Sequence, residues 1–207
     1  MPSDLDADPG AAIEFCRAAH ARLLAAVEEL TDDQARSPSR LPGWTVGHVL
    51  THLARNADSH TRRLEGALRG QDVPRYGPGQ RDAAIAEGAG RPDGEIVPDL
   101  KAAQEALETV WDRSMAAGWP NRQLLGDDRW ETNGSPARRL REAEVHHVDL
   151  GLGYEPSDWP EDYVTWELPR ALATVPGRAR RPDDVRDLVA WAIGRGPLPS
   201  LVELGPW

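Results

Sequence analysis

Apolar residues along this chain recur at helical spacing in several runs, separated by stretches that show no period. Ile13, Cys16, Leu23, Val27 and Leu30, with His20 in register, stand three and four apart and predict a helix over about 11–30 with one buried face. Thr31 followed by Gln34 has the form of a capping box opening a short helix. Val46, Val49, Leu50, Leu53, Ala57 and Leu64 mark a longer helix over about 45–68, with Thr45 as its N-cap. Residues 70–98 are rich in glycine and proline and predict one long loop. A helix over about 98–117 buries Leu100, Ala103, Leu107, Val110 and Trp111, and a loop carrying Trp119, Pro120 and Trp130 follows. The next helix opens at Ser135 and Pro136, a capping residue with proline first, and stops at Gly151 or Gly153. Beyond Pro156 the chain reads as irregular, with one helix over about 183–193 and a tail, 195–207, expected to wrap over the bundle.

No convincing strand emerges, so the expected fold class is all-α: a four-helix bundle over 1–154 and a reduced C-terminal region over 155–207.

Charge narrows the possible partners. Twenty-four basic side chains against 34 acidic ones leave a net charge of −10, which repels a phosphate backbone and argues against nucleic acid. The short cluster Arg178, Arg180 and Arg181 does not change this. Cys16 is the only cysteine, so no internal disulfide can staple the chain, and its place on an apolar face reads as core. The acidic start lacks an apolar signal core, and no apolar run is long enough to span a bilayer. Cytoplasmic residence, no membrane partner and a monomer are the expectations. Trp44 and Trp111 read as core.

Five of the six histidines fall on two of the helices. Glu142 and His146 are four apart, so a carboxylate and an imidazole share one helix face. His52, arriving from a facing helix, would complete a His₂Glu set. Three protein ligands with a vacant fourth position are the pattern of a catalytic zinc site. Rivals lie close by. Glu144 and His147 are three apart, Asp149 can ligate or can orient His146, and His48 sits one turn before His52. A metal-free reading also stands, with Glu142–His146 as a helix-stabilising pair and His52 as a satisfied core histidine. Spacing does not choose among these.

Two stretches carry a family resemblance. Gly43-Trp44-Thr45-Val46-Gly47-His48-Val49-Leu50-Thr51-His52 resembles a segment of the DinB-like metal-dependent enzymes. Arg141-Glu142-Ala143-Glu144-Val145-His146-His147-Val148-Asp149-Leu150-Gly151 resembles the mycothiol-dependent maleylpyruvate isomerase branch. The resemblance implies Zn²⁺, or another divalent metal, on His52, Glu142 and His146, with mycothiol as the thiol cofactor. Gly194-Arg195-Gly196 resembles a family motif whose arginine is catalytic, which implies that role for Arg195 beside His52. Asn56 and Arg81 fall on family positions that imply cofactor binding.

The implied activity is mycothiol-dependent cis–trans isomerisation of an unsaturated keto-acid such as maleylpyruvate. A zinc-activated thiolate adds to the double bond, the resulting single bond rotates, and the thiol leaves. If the thiolate instead attacks an electrophile and stays attached, the enzyme is a mycothiol S-transferase. Outside catalysis stands a metal-binding bundle without activity. Partners on the enzymatic readings are mycothiol and a small anionic or electrophilic substrate. Members of the branch carry a small C-terminal α/β domain. Residues 156–183 are too short and strand-poor for it, so the sheet is expected to be lost or vestigial.

Overall fold

The computed structural model describes residues 4–119, 131–179 and 181–196. They form eight α-helices: α1 (Pro9–Val27), α2 (Asp32–Arg36), α3 (Val46–Leu68), α4 (Gln80–Ala89), α5 (Asp93–Ala116), α6 (Ser135–Asp149), α7 (Glu161–Arg178) and α8 (Pro182–Ala192). Among the described residues there is no strand, and an isolated antiparallel bridge joins Pro38 to Thr45. The expected loop residues 120–130 and the tail beyond 196 lie outside the described residues.

The chain divides into two compact units, one ending at Trp159 and the other starting at Pro160. In the first, α1, α3, α5 and α6 make the bundle, and side-chain pairs set their directions. Arg55 reaches Asp99 at 2.6 Å and Arg113 reaches Glu65 at 3.3 Å, so α3 and α5 run parallel. His20 meets Glu108 and Arg17 meets Asp112, which makes α1 antiparallel to α5. His52 meets Glu142 and His60 meets Ser135, so α3 and α6 are antiparallel too. Two helices therefore point each way around a core of Leu23, Val49, Leu50, Leu53, Leu100, Leu107, Trp111 and Leu140, all 1% exposed or less.

Two of the three predicted caps are in place; Ser135 is instead the first residue of α6 after an N-cap at Gly134, and its hydroxyl is taken up by His60 and Trp111. Thr31 and Gln34 close a capping box at α2, and Thr45 caps α3 by accepting the His48 N–H. Residues 70–98 are not one loop. Parallel α3 and α5 oblige the chain to travel back along the bundle between them, and α4 forms on that return. Its end packs closely on the start of α3: a Cβ on Gly47 would lie 2.6 Å from the Ala89 carbonyl, and one on Gly88 would lie 2.5 Å from Thr51 Cγ2. Helix α5 starts five residues earlier than the periodicity indicates and runs through Pro98. The missing N–H of Pro98 frees the carbonyl of Gly94, which is exposed and can meet water.

In the second unit, α8 matches the expected last helix, whereas α7 replaces an expected irregular segment. Pro169 and Pro176 lie inside α7 and hid it, since proline normally breaks a helix interior. Pro169 cannot donate to Thr165, but Arg170 Nη1 donates to the Trp166 carbonyl at 2.6 Å in the same turn. Tyr163 and Trp166 are buried. No described helix is long and apolar enough to cross a membrane.

Candidate metal centre

Helix α3 carries His52 in its middle, and antiparallel α6 brings Glu142 and His146 alongside it. His52 Nε2 lies 3.0 Å from Glu142 Oε2, and His146 Nε2 lies 3.5 Å from the same oxygen. The two imidazoles meet edge to face with centroids 4.7 Å apart. One donor atom from each of the three residues falls within 4.8 Å of the others, and among the described residues no other His/Cys/Asp/Glu group does this. His52 is buried, while His146 and Glu142 are partly open to solvent. Two imidazoles and one carboxylate, clustered and reachable from one side, fit a zinc-type ion with a free coordination position.

The outer nitrogens are also engaged. His146 Nδ1 lies 2.8 Å from Asp149 Oδ2, the arrangement that leaves Nε2 free to ligate. Asp149 thus orients His146. His52 Nδ1 faces Arg81 Nη2 at 3.3 Å, so the guanidinium of α4 stands at the edge of the site. A neutral His52 ligating through Nε2 would carry its proton on Nδ1, which would turn this contact from attractive to repulsive.

Electrostatics follow the geometry. Burial tends to raise the Glu142 pKa, but hydrogen bonds from His146 and His52 hold it well below the ordinary carboxylate range. Burial lowers His52 despite Glu142. Burial opposes charge on His146 too, yet Asp149 and Glu142 outweigh it and push that imidazole up to about 9. Without metal, then, the three groups share a proton that resides on His146.

The rival ligands have other work. Glu144 is 1% exposed, is ion-paired to Arg22 and accepts the Tyr154 hydroxyl at 2.7 Å. His147 stacks on Tyr154 at 3.8 Å, and burial pushes its pKa down to about 4. His48 belongs to the cap of α3, with Nδ1 2.8 Å from Thr45 Oγ1. Cys16 is buried and its thiol pKa is raised by desolvation, as a core residue requires.

Asn56 is fully buried one turn beyond His52, and its Oδ1 accepts from Arg139 Nη1 at 3.0 Å. Arg195 lies in the second unit just after α8, exposed, with Nη1 3.3 Å from the Gly194 carbonyl. Trp111 is core, but Trp44 is not: it is half-buried with its ring edge on His52, centroids 5.7 Å apart. Its place in the cap just before α3 was the available signal. Arg139 gave none, because an arginine on a helix reads as surface.

Residues 16–151 match the family described as the mycothiol maleylpyruvate isomerase N-terminal domain. A crystal structure of the mycothiol-dependent maleylpyruvate isomerase is similar to this chain, with a TM-score of 0.73 and 22% identity over 80% of this chain and 70% of that one. A structure of a point mutant of that enzyme is similar over the same shares at 21% identity and a TM-score of 0.73. Comparison with curated protein sequences finds no match. The chain has the DinB-like helical fold of that enzyme, and it belongs to the mycothiol maleylpyruvate isomerase N-terminal domain family.

Proposed function

We propose that this protein is a zinc- and mycothiol-dependent cis–trans isomerase of the maleylpyruvate isomerase type, acting on a small unsaturated keto-acid. The observation that carries the reading is the convergence of His52, Glu142 and His146 in a chain of this family. A divalent ion held by these three side chains supplies a Lewis acid that keeps a thiol in its thiolate form near neutral pH.

The protein's own groups do the rest. Asp149 accepts the His146 Nδ1 proton and so aims Nε2 at the site. Trp44 packs edge to face against His52, with ring centroids 5.7 Å apart, and so helps hold the imidazole in place. Arg81, beside His52, offers a cation to an anionic group of mycothiol or substrate. Arg195 is assigned the pairing with substrate carboxylate or developing enolate charge, on its Gly-Arg-Gly setting alone. Asn56 is assigned to cofactor binding on the same kind of ground.

The test is a reaction with maleylpyruvate and sub-stoichiometric mycothiol, followed by absorbance and mass. Trans product in excess over mycothiol, with the thiol recovered free, is the expected result. Accumulation of a thioether conjugate instead would make the protein an S-transferase. Stoichiometric zinc without calorimetric binding of mycothiol would leave a metal-binding bundle.

A further inference from the structure

Arg139 is 0% exposed, yet no carboxylate bonds to it. It sits on α6 three residues before Glu142, on the face that looks toward α3. Its Nη1 donates to the Leu53 carbonyl at 2.9 Å and to Asn56 Oδ1 at 3.0 Å, acceptors one and four residues after His52 on α3. Its Nε donates to His20 Nε2 at 3.0 Å on α1. That bond makes Nδ1 of a neutral His20 the protonated nitrogen, which donates to Glu108 Oε1 on α5 at 2.7 Å. Arg139 therefore ties α6 directly to α3 and α1, and His20 carries the connection on to α5.

Stability does not account for it. A buried guanidinium whose direct acceptors are all neutral costs free energy to desolvate, and Nη2 has no hydrogen-bond partner among the protein groups. Apolar replacements of buried charges often leave stability unchanged or improve it. What an apolar side chain cannot do is hold two helices at one register by directional bonds. A metal site needs such control, because its ligands must be placed within about 0.5 Å of the binding geometry.

We infer that Arg139 is a positioning residue that sets the register of α3 against α6, and through it the metal affinity of the His52, Glu142 and His146 set. The inference rests on the metal reading above. It predicts that Arg139→Met, if folded, weakens Co²⁺ and Zn²⁺ binding at least tenfold and alters the visible absorption of bound Co²⁺, which reports ligand geometry. Arg139→Lys, which can still donate to Leu53 and Asn56, recovers a substantial part of both.

Affinities are measured by chelator competition on protein shown by circular dichroism to be folded. Urea unfolding of the metal-free forms separates loss of register from loss of fold. Unchanged Co²⁺ affinity and spectrum in the Met variant would overturn the inference. Should the Met variant not fold, a folded Lys variant with the wild-type spectrum and an affinity within twofold of wild type supports it, and one that binds no better than a Glu142→Gln control overturns it. If wild type itself binds no stoichiometric metal, the metal reading fails first, and the two failures are told apart.

Discussion

Helix α6 presents two acid–histidine pairs on two faces, and the faces have opposite chemistry. Glu142 and His146 look toward α3, where they meet a third titratable group, His52, and an opening to solvent. Glu144 and His147 look toward α1 and the chain after α6, where they meet the cation of Arg22 and the ring of Tyr154. Adjacent imidazoles are driven apart as a result. His146 is pushed up to about 9 by its two carboxylates against the opposing effect of burial, and His147 is pushed down to about 4 by burial and Arg22. A carboxylate already neutralised by a fixed guanidinium has little to offer a metal. One shared by two imidazoles can exchange a proton for an ion. The neighbour, more than the pair, makes the site.

The comparison breaks most sharply at the shared ligands. His52→Ala and His146→Ala should each lower Zn²⁺ affinity by about 3 kcal/mol, roughly 100-fold, taking a structural zinc free energy of roughly 10–16 kcal/mol as spread over about four ligands. His147→Ala should leave the affinity unchanged, and equal losses at 146 and 147 in chelator competition would erase the distinction. Asp149→Asn keeps the ligand but loses its orienting carboxylate, for an expected loss of about tenfold in the same assay.

Glu144→Gln reverses the pattern. Metal affinity should stay within twofold, while urea unfolding shows a stability loss of about 1–3 kcal/mol from the buried partners it strands. A metal loss matching that of Glu142→Gln would mean that the carboxylate roles are exchanged.

The smallest effect is the pH dependence of the metal-free protein. His147, lowered in the fold, contributes stability that is present above its unfolded pKa and lost as pH falls from about 6.5 toward 4. His146, raised in the fold, contributes stability that is present below about 6.5 and lost as pH rises through 9. His147→Gln should therefore flatten the acid limb and His146→Gln the alkaline limb, each by less than about 1.4 kcal/mol per pH unit. The same limb changing in both variants would contradict the opposed environments.

Much of the fold was legible because it depends on local periodicity. The stripe of α3, the capping boxes at Thr31 and Thr45, and the Ser135–Pro136 start of α6 are all short-range signals, and all are found in place. Helix α7 was hidden by Pro169 and Pro176, whose cost is local and visible whereas the burial of Tyr163 and Trp166 that offsets it is not. Helix α4 was hidden by the glycines around it, although Gly47 and Gly88 exist to let it approach α3.

For the site, residue spacing determined that Glu142 shares a face with His146 and Glu144 with His147, because the α-helical period is a property of the chain itself. It did not determine which face meets His52, whether His48 ligates or caps, or that a buried arginine ties α6 to α3 and α1. Those outcomes depend on the direction in which α3 crosses α6 and on the partners packed behind each face. They are interactions between residues some ninety positions apart, and only the folded bundle brings them within reach.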